Sequence, residues 1–295
     1  MNKIVGIIFD WAGTTVDYGC FAPLEVFLEV FKNKKIAITL EEARGPMGML
    51  KIDHIRALTK IPRIEKEWEK VYGKKPTEED VVEMYKEFEP SLLKILSNYT
   101  TPIPGVLDAV KKIREMGLKI GSTTGYTQSM MDIVVKGAKE NGYAPDCYFT
   151  PDSLPQGRPY PWMCYANAIK LGIYPMSHLI KVGDTLSDIK EGVNAGCFSV
   201  GVIMGSSELG LHEEEVLAMS TEELEEKCKK VKERFLEAGA HFVINTMEEL
   251  PDLVEKINGM LEEGYELITM SITNSAKAIL VFKKTNLIRK RLWKN

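Results

Sequence analysis

A chain of 295 residues, 44% hydrophobic and 27% charged, has the make-up of an ordinary globular protein and the length for one large domain or two smaller ones. Its formal charge of −4 gives no electrostatic reason to expect nucleic acid, and no apolar run reaches the length of a membrane span, so neither is expected as a partner. The five cysteines (Cys20, Cys147, Cys164, Cys197, Cys228) are odd in number and form no CxxC pair, which argues against a disulfide framework or a zinc site; with no signal-peptide pattern ahead of the first strand, a cytoplasmic setting is expected.

The predicted elements begin with Ile4–Phe9, an apolar, β-branched run short enough for a strand buried on both faces. It stops at Asp10, and Gly13, Thr14 and Thr15 follow at once. A buried strand that delivers a carboxylate to its C-terminal end, ahead of a glycine turn, is how open α/β sheets build sites. The plain alternative is a strand that happens to end in a solvated Asp. Phe21–Phe31 reads as a helix with Pro23 in its first turn. From Leu40 to Tyr99 there are only helical patterns, punctuated by Pro46, Pro62 and Pro76. One of them, Met47–Leu58, sets Met47, Leu50, Lys51, His54, Ile55 and Leu58 along one stripe. Thr77, with Asp80 three residues on, opens another as an acidic capping box. A run of helices inserted after the first strand predicts a separate helical module.

Strand and helix then alternate. Pro102–Gly105 reads as a linker and Val106–Met116 as a helix ended by Gly117. Strands are expected at Leu118–Gly121, Cys147–Thr150, Leu179–Val182, Phe198–Ile203 and Phe242–Ile244. The intervening helices are Tyr126–Asn141, Tyr160–Leu171, the stretch that follows Gly183-Asp184-Thr185 and runs to Ala195, and Thr221–Ala238, with Met247–Glu262 closing the series. Such alternation means a parallel sheet covered on both faces.

Polar residues fall where these strands end: Asp10, Thr124 and Asp184. Asp10 and Asp184, with Asp188 one helical turn later, offer the oxygen ligands a hard divalent cation prefers. Thr124 and the amides opening the next helix could hold phosphate oxygens, and Arg158 or a nearby Lys could balance the remaining charge. An ionised Asp is also a competent nucleophile toward phosphorus. Taken singly, Asp184 and Asp188 also suit N-capping.

Asp10–Thr15 (DWAGTT), Ser122–Thr124, Arg158 and Gly183–Asp188 (GDTLSD) resemble the four ordered motifs of the haloacid dehalogenase-like phosphotransferases. The resemblance spans about residues 1–264 and implies a Rossmann-like α/β core with a parallel sheet and an inserted all-helical cap. By it, residues 1–17 and 101–264 form the core, 18–100 the cap, and 265–295 a basic tail of unknown role. Most members carry a second Asp two residues after the nucleophile as general acid/base; here that position is Ala12. Lys51, on an apolar stripe where a desolvated amine would have a lowered pKa, could instead form an imine with a carbonyl, and a protonated imine is an electron sink. An Asp nucleophile beside an imine-forming Lys suits cleavage of a carbon–phosphorus bond β to a carbonyl.

The segments FDWAGTTVDYGCFAP, ARGPMGMLKIDHIRAL, GSTTGYT, GRPYPWMCY and KVGDTLSDIKEG resemble the phosphonatase branch, which hydrolyses phosphonoacetaldehyde to acetaldehyde and phosphate in 2-aminoethylphosphonate degradation. That resemblance implies Asp10 as nucleophile and Lys51 as Schiff-base residue. It implies one Mg2+ per subunit on Asp10, the Ala12 carbonyl and Asp184, and a homodimer. Thr124, Gly125 and Arg158 match phosphonyl- or substrate-binding positions, Cys20, Met47, His54 and Tyr126 match positions around the Lys, and Asp188 an acidic position behind the ligands. A capped phosphatase or phosphomutase for a small phosphate ester is the alternative, as is a sheet protein that merely binds an anion. The resemblance ends near Gly264; beyond it seven Lys/Arg stand against one Glu, with a short apolar run at Ala278–Phe282.

Overall fold

In a computed structural model, residues 3–267 and 282–284 of the chain are described. The opening strand β1 (Gly6–Phe9) is followed by five helices, α1 (Phe21–Asn33), α2 (Leu40–Arg44), α3 (Lys51–Thr59), α4 (Pro62–Tyr72) and α5 (Glu78–Ile95). Then come α6 (Val106–Glu115), β2 (Lys119–Ser122), α7 (Gln128–Glu140), α8 (Trp162–Leu171), β3 (Leu179–Gly183), α9 (Leu186–Ala195) and β4 (Phe198–Val202). The order ends with α10 (Glu213–Ala218), α11 (Thr221–Glu237), β5 (Phe242–Ile244), α12 (Leu250–Glu262), β6 (Tyr265–Leu267) and β7 (Phe282–Lys284). The sheet runs β2-β1-β3-β4-β5 with every pairing parallel. This is the α/β class expected, with an all-helical insertion after the first strand. Every residue of β1, β3 and β4 is buried, as continuous apolar strands between helical layers require.

The insertion folds for local reasons. Pro62 opens α4 and Gly73, left-handed at φ 69°, closes it. Thr77 and Asp80 form the anticipated reciprocal capping box on α5. Its inward stripes, among them Phe27, Phe31, Ile55, Trp68 and Phe88, belong to the same apolar core as Ile7, Phe9 and Val182 of the sheet. The module is therefore packed onto the sheet and shares its core.

Two expectations need correction. Cys147–Thr150 is not a strand: only Thr123 and Phe149 make an isolated bridge. The Asp146 side chain takes the Ile120 amide at 2.7 Å, replacing the carbonyl a regular ladder would supply, so the segment covers the β2 edge without extending the sheet. The helix read as Met47–Leu58 begins at Lys51. Gly48, at φ 82°, makes a turn whose Cβ, if added, would lie 2.4 Å from Thr185 Oγ1, so Met47 sits in a loop pressed onto the sheet side. β6 pairs antiparallel with β7; of the run Ala278–Phe282, all but Phe282 lies outside the described residues. Among the described residues no helix is long and apolar enough to cross a membrane.

Candidate active site

β1 ends where the sheet order switches direction, and its turn carries Asp10 into the crevice beyond the strand ends. The Asp10 amide still belongs to the sheet, donating to the Val182 carbonyl at 3.0 Å. The Trp11 carbonyl then accepts from the amides of Thr14, Thr15 and Val16, which curls the turn back. Gly13 is required there: at φ 87° a Cβ would lie 2.2 Å from Asp184 Oδ2. Asp184, just past β3, is gripped on both oxygens, by the Thr14 hydroxyl at 2.9 Å and the Ser207 amide at 2.8 Å.

Asp10, Asp184 and Asp188 bring one carboxylate oxygen each within 4.8 Å of the others, all buried. Their surroundings set them apart. Burial would raise Asp188, but Arg158 and Lys181 outweigh it and hold it below the usual carboxylate range. Lys181 Nζ lies 2.6 Å from Asp188 Oδ1, Arg158 Nη2 lies 3.0 Å from the same oxygen, and the Thr185 hydroxyl donates to Oδ2 at 2.6 Å. Burial raises Asp10, and Arg158, donating to its Oδ1 at 2.6 Å, offsets only part of that. Burial, then repulsion from Asp10 and Asp188, pushes Asp184 well up. Two buried carboxylates that repel each other, only one of them reached by a guanidinium, fit a hard divalent cation with oxygen ligands. Asp188, already neutralised, orients the cations behind them.

Arg158 is the hub of this layer. Beyond Asp10 it donates to Thr123 Oγ1 at 2.7 Å and through Nε to Glu191 Oε2 at 2.9 Å, and its Nη1 reaches the Gly48 carbonyl of the helical module at 3.4 Å. Thr124 accepts the Tyr126 amide on its hydroxyl oxygen at 3.0 Å, and its proton has no acceptor among the described residues. Gly125 lies under the module: a Cβ on it would stand 2.6 Å from the Met49 carbonyl and 2.8 Å from that of Gly48.

Lys51 is the first residue of α3 and is 3% exposed. Its Nζ lies 5.0 Å from the Tyr126 ring centroid and 6.0 Å from that of Phe27. Among the described residues no carboxylate lies within ion-pair reach. Burial lowers its pKa from 10.5, and the neighbouring groups that favour the ammonium do not restore it. Cys20 is itself pushed well up by burial and by Asp17, so it is a neutral thiol that lends the ammonium no charge. Burial, then Lys51, hold His54 far below its ordinary value, so the imidazole is neutral. Its Nε2 lies 2.8 Å from the Ala43 carbonyl and must carry the proton, while Nδ1 is a buried lone pair without a partner among the described residues. Cys20 and Met47 pack with Leu24 and Ala43, and half-buried Ala12 lies against that cluster.

The sequence-predicted residues thus come together in one crevice between sheet and module. Lys181, Glu191, Thr123 and Ser207 were not singled out. A lysine in the middle of a strand buried on both faces, and an acid three residues after Asp188 on the same helix, were the signals available for Lys181 and Glu191; Thr123 stood only as part of the Ser122–Thr124 motif, and Ser207 offered none.

Residues 4–196 match the model of the haloacid dehalogenase-like hydrolases. Phosphonoacetaldehyde hydrolase of Bacillus cytotoxicus is 63% identical over 255 residues, covering 86% of this chain and 97% of that protein. The chain belongs to this family. The enzyme of the same name from Bacillus cereus is 62% identical over the same length. Among solved structures, a phosphonoacetaldehyde hydrolase-like protein of Oleispira antarctica superposes with a TM-score of 0.86 at 36% identity, covering 89% of this chain and 95% of that one. A β-phosphoglucomutase of Clostridium difficile, at 18% identity and a TM-score of 0.62, shares the fold. The chain is accordingly a hydrolase whose acidic cluster suits a metal ion.

Proposed function

We propose that this chain hydrolyses phosphonoacetaldehyde to acetaldehyde and phosphate with Mg2+, through an imine on Lys51 and a phosphorylated Asp10. The observation that carries the reading is the buried Lys51 amine, held over Tyr126 from the helical module with its pKa lowered, facing a crevice in which Ala12 replaces a general acid. The neutral Lys51 amine attacks the aldehyde carbon, and loss of water gives the imine; His54 Nδ1, an unpartnered lone pair on the same helix, offers a hydrogen-bond acceptor. The protonated imine then withdraws electrons. Asp10 attacks phosphorus, the carbon–phosphorus electron pair moves into the enamine, and the phosphoryl group passes to the Asp10 carboxylate.

Protonation of the enamine carbon and hydrolysis of the imine free acetaldehyde and Lys51. A second water cleaves the aspartyl phosphate, so the overall reaction consumes one water. Arg158 and Thr124 hold the phosphonyl oxygens, and Gly125 lets the module close over them. Magnesium on Asp10, the Ala12 carbonyl and Asp184 would neutralise the charge on the phosphonyl oxygens and on the attacking carboxylate.

A phosphatase or phosphomutase reading needs an acid at position 12 to protonate an alkoxide leaving group, and it leaves Lys51 without a task. The test is phosphate release from phosphonoacetaldehyde beside a panel of small phosphate esters. The reading predicts a preference for the phosphonate by several powers of ten; faster turnover of any ester would replace it. A homodimer and a place in 2-aminoethylphosphonate breakdown belong to the same reading, the first testable by light scattering on the eluting protein.

A further inference from the structure

We propose that Arg44 is a positioning residue that ties closure of the helical module to the orientation of Asp184. The proposal rests on reading Asp184 as a metal ligand and extends it to a residue of the module that controls that ligand. Arg44 is the last residue of α2. Its Nη1 donates to the Gly19 carbonyl at 2.8 Å and to the Ser207 carbonyl at 3.1 Å, with Ser207 Oγ at 3.3 Å. Gly19 belongs to the connection from the β1 turn into α1, and Ser207 to the loop after β4. One planar, multi-donor group therefore joins the module, the entry to the module and a loop of the sheet side.

The far side of that loop carries the consequence. The amide of the same Ser207 donates to Asp184 Oδ2 at 2.8 Å. The chain Arg44–Ser207–Asp184 thus runs from the module to one of the two carboxylates that face each other in the acidic cluster. The entry connection is built to be held in one shape. Asp17 (φ 55°), Gly19 (φ 82°) and Cys20 (φ 53°) are all left-handed, and two of them are not glycine. The Gly19 amide donates to the Gly205 carbonyl at 2.7 Å, so that loop and the connection are bonded through Gly19 as well as through Arg44. The Arg44 guanidinium also lies 4.8 Å from the Phe21 ring centroid, at the start of α1.

Swinging the module away separates Nη1 from Ser207. The loop between Gly205 and Gly210, both left-handed glycines, then keeps the Glu208–Arg234 pair at 2.6 Å but loses its tie to the module at Ser207, and the Ser207 amide is freer to shift from Asp184. Groups that hydrogen-bond metal ligands typically change metal affinity by 10–100-fold when removed. Loss of Arg44 should therefore weaken Mg2+ binding about ten-fold. By reciprocity, Mg2+ favours the closed module.

The experiment is Mg2+ titration by calorimetry on chelator-treated full-length protein, with melting temperatures recorded for each variant. Arg44→Met should bind Mg2+ about ten-fold more weakly than the wild type, and Arg44→Lys by an intermediate factor, because an ammonium still reaches the Ser207 carbonyl. If Arg44 merely packs on Phe21, melting temperature falls while the folded protein binds Mg2+ as the wild type does, and the proposal is overturned. Should Arg44→Met not fold, Arg44→Lys decides alone: weaker binding supports the proposal and wild-type binding overturns it. Asp184→Asn separates the two layers. Undiminished Mg2+ binding in that variant defeats the metal-ligand reading itself, whereas loss of binding there, with wild-type affinity in both Arg44 variants, defeats only the present inference.

Discussion

The Lys51 amine of the helical module stands 5.0 Å over the ring of Tyr126, which belongs to the segment after β2. The contact favours the ammonium and burial favours the neutral amine. A cation–π contact of this kind is worth about 0.5–2 kcal/mol, less than the shifts that full burial of an amine produces. Burial wins, and the pKa lies below 10.5. As pH falls through this lowered value the amine gains a proton and stops attacking carbonyls. The rate of imine formation should therefore rise with pH and level off below 10.5, as rapid-quench trapping across pH would show. A profile still climbing at that pH would mean an unperturbed lysine.

Gly125 sits where the module meets the sheet side. A Cβ there would meet two backbone carbonyls, Met49 at 2.6 Å and Gly48 at 2.8 Å, which cannot turn aside as a side chain does. Gly125→Ala should leave melting temperature near the wild type and lower kcat/KM by on the order of 100-fold, the usual effect of misplacing reacting groups by about 1 Å. Normal kinetics in this variant would show that the module need not approach so closely.

The metal prediction follows from the pKa directions. Asp10 and Asp184 are both raised, so the metal-free protein keeps its protons there to a higher pH than ordinary carboxylates would. Mg2+ must displace them, so its affinity should increase with pH and binding should release protons. Calorimetry in buffers of different ionisation enthalpy measures the release directly. Asp184→Ala should abolish both binding and turnover, and Mg2+ binding without proton release would contradict the raised values.

Much of this was legible in the chain because strand ends announce themselves. Asp10, Thr124 and Asp184 each follow an apolar run, and those runs became β1, β2 and β3. Lys51 was legible from the stripe it shares with His54 and Ile55, although the helix starts four residues later than periodicity suggests, because Gly48 turns to meet Thr185. Lys181, a charge inside an apolar strand, and Glu191, an acid on the helix of Asp188, each hinted at a partner without naming it; only the fold sets them behind Arg158. Ser207 could not have been found at all, since its part is played by a backbone amide. Nor could the edge segment at Cys147–Thr150, where one Asp146 side chain decides between a strand and a loop.

Ala12 lies half-buried against the cluster that contains Cys20 and Met47. Ala12→Asp would add a carboxylate beside the amine and favour its ammonium, while repelling Asp10. Phosphonate turnover should drop and the imine profile should move to higher pH. Phosphate ester hydrolysis should stay poor. Efficient ester hydrolysis with phosphonate turnover intact would contradict the matching of Ala12 to imine chemistry.

Borohydride trapping is the direct test of the imine. Full-length protein is incubated with phosphonoacetaldehyde and Mg2+, reduced with borohydride, digested and examined by mass spectrometry. The account predicts irreversible inactivation with the adduct on Lys51, and neither trapping nor turnover in Lys51→Arg, whose guanidinium keeps its charge and forms no imine. An adduct on another lysine, or full turnover with no adduct anywhere, would contradict it.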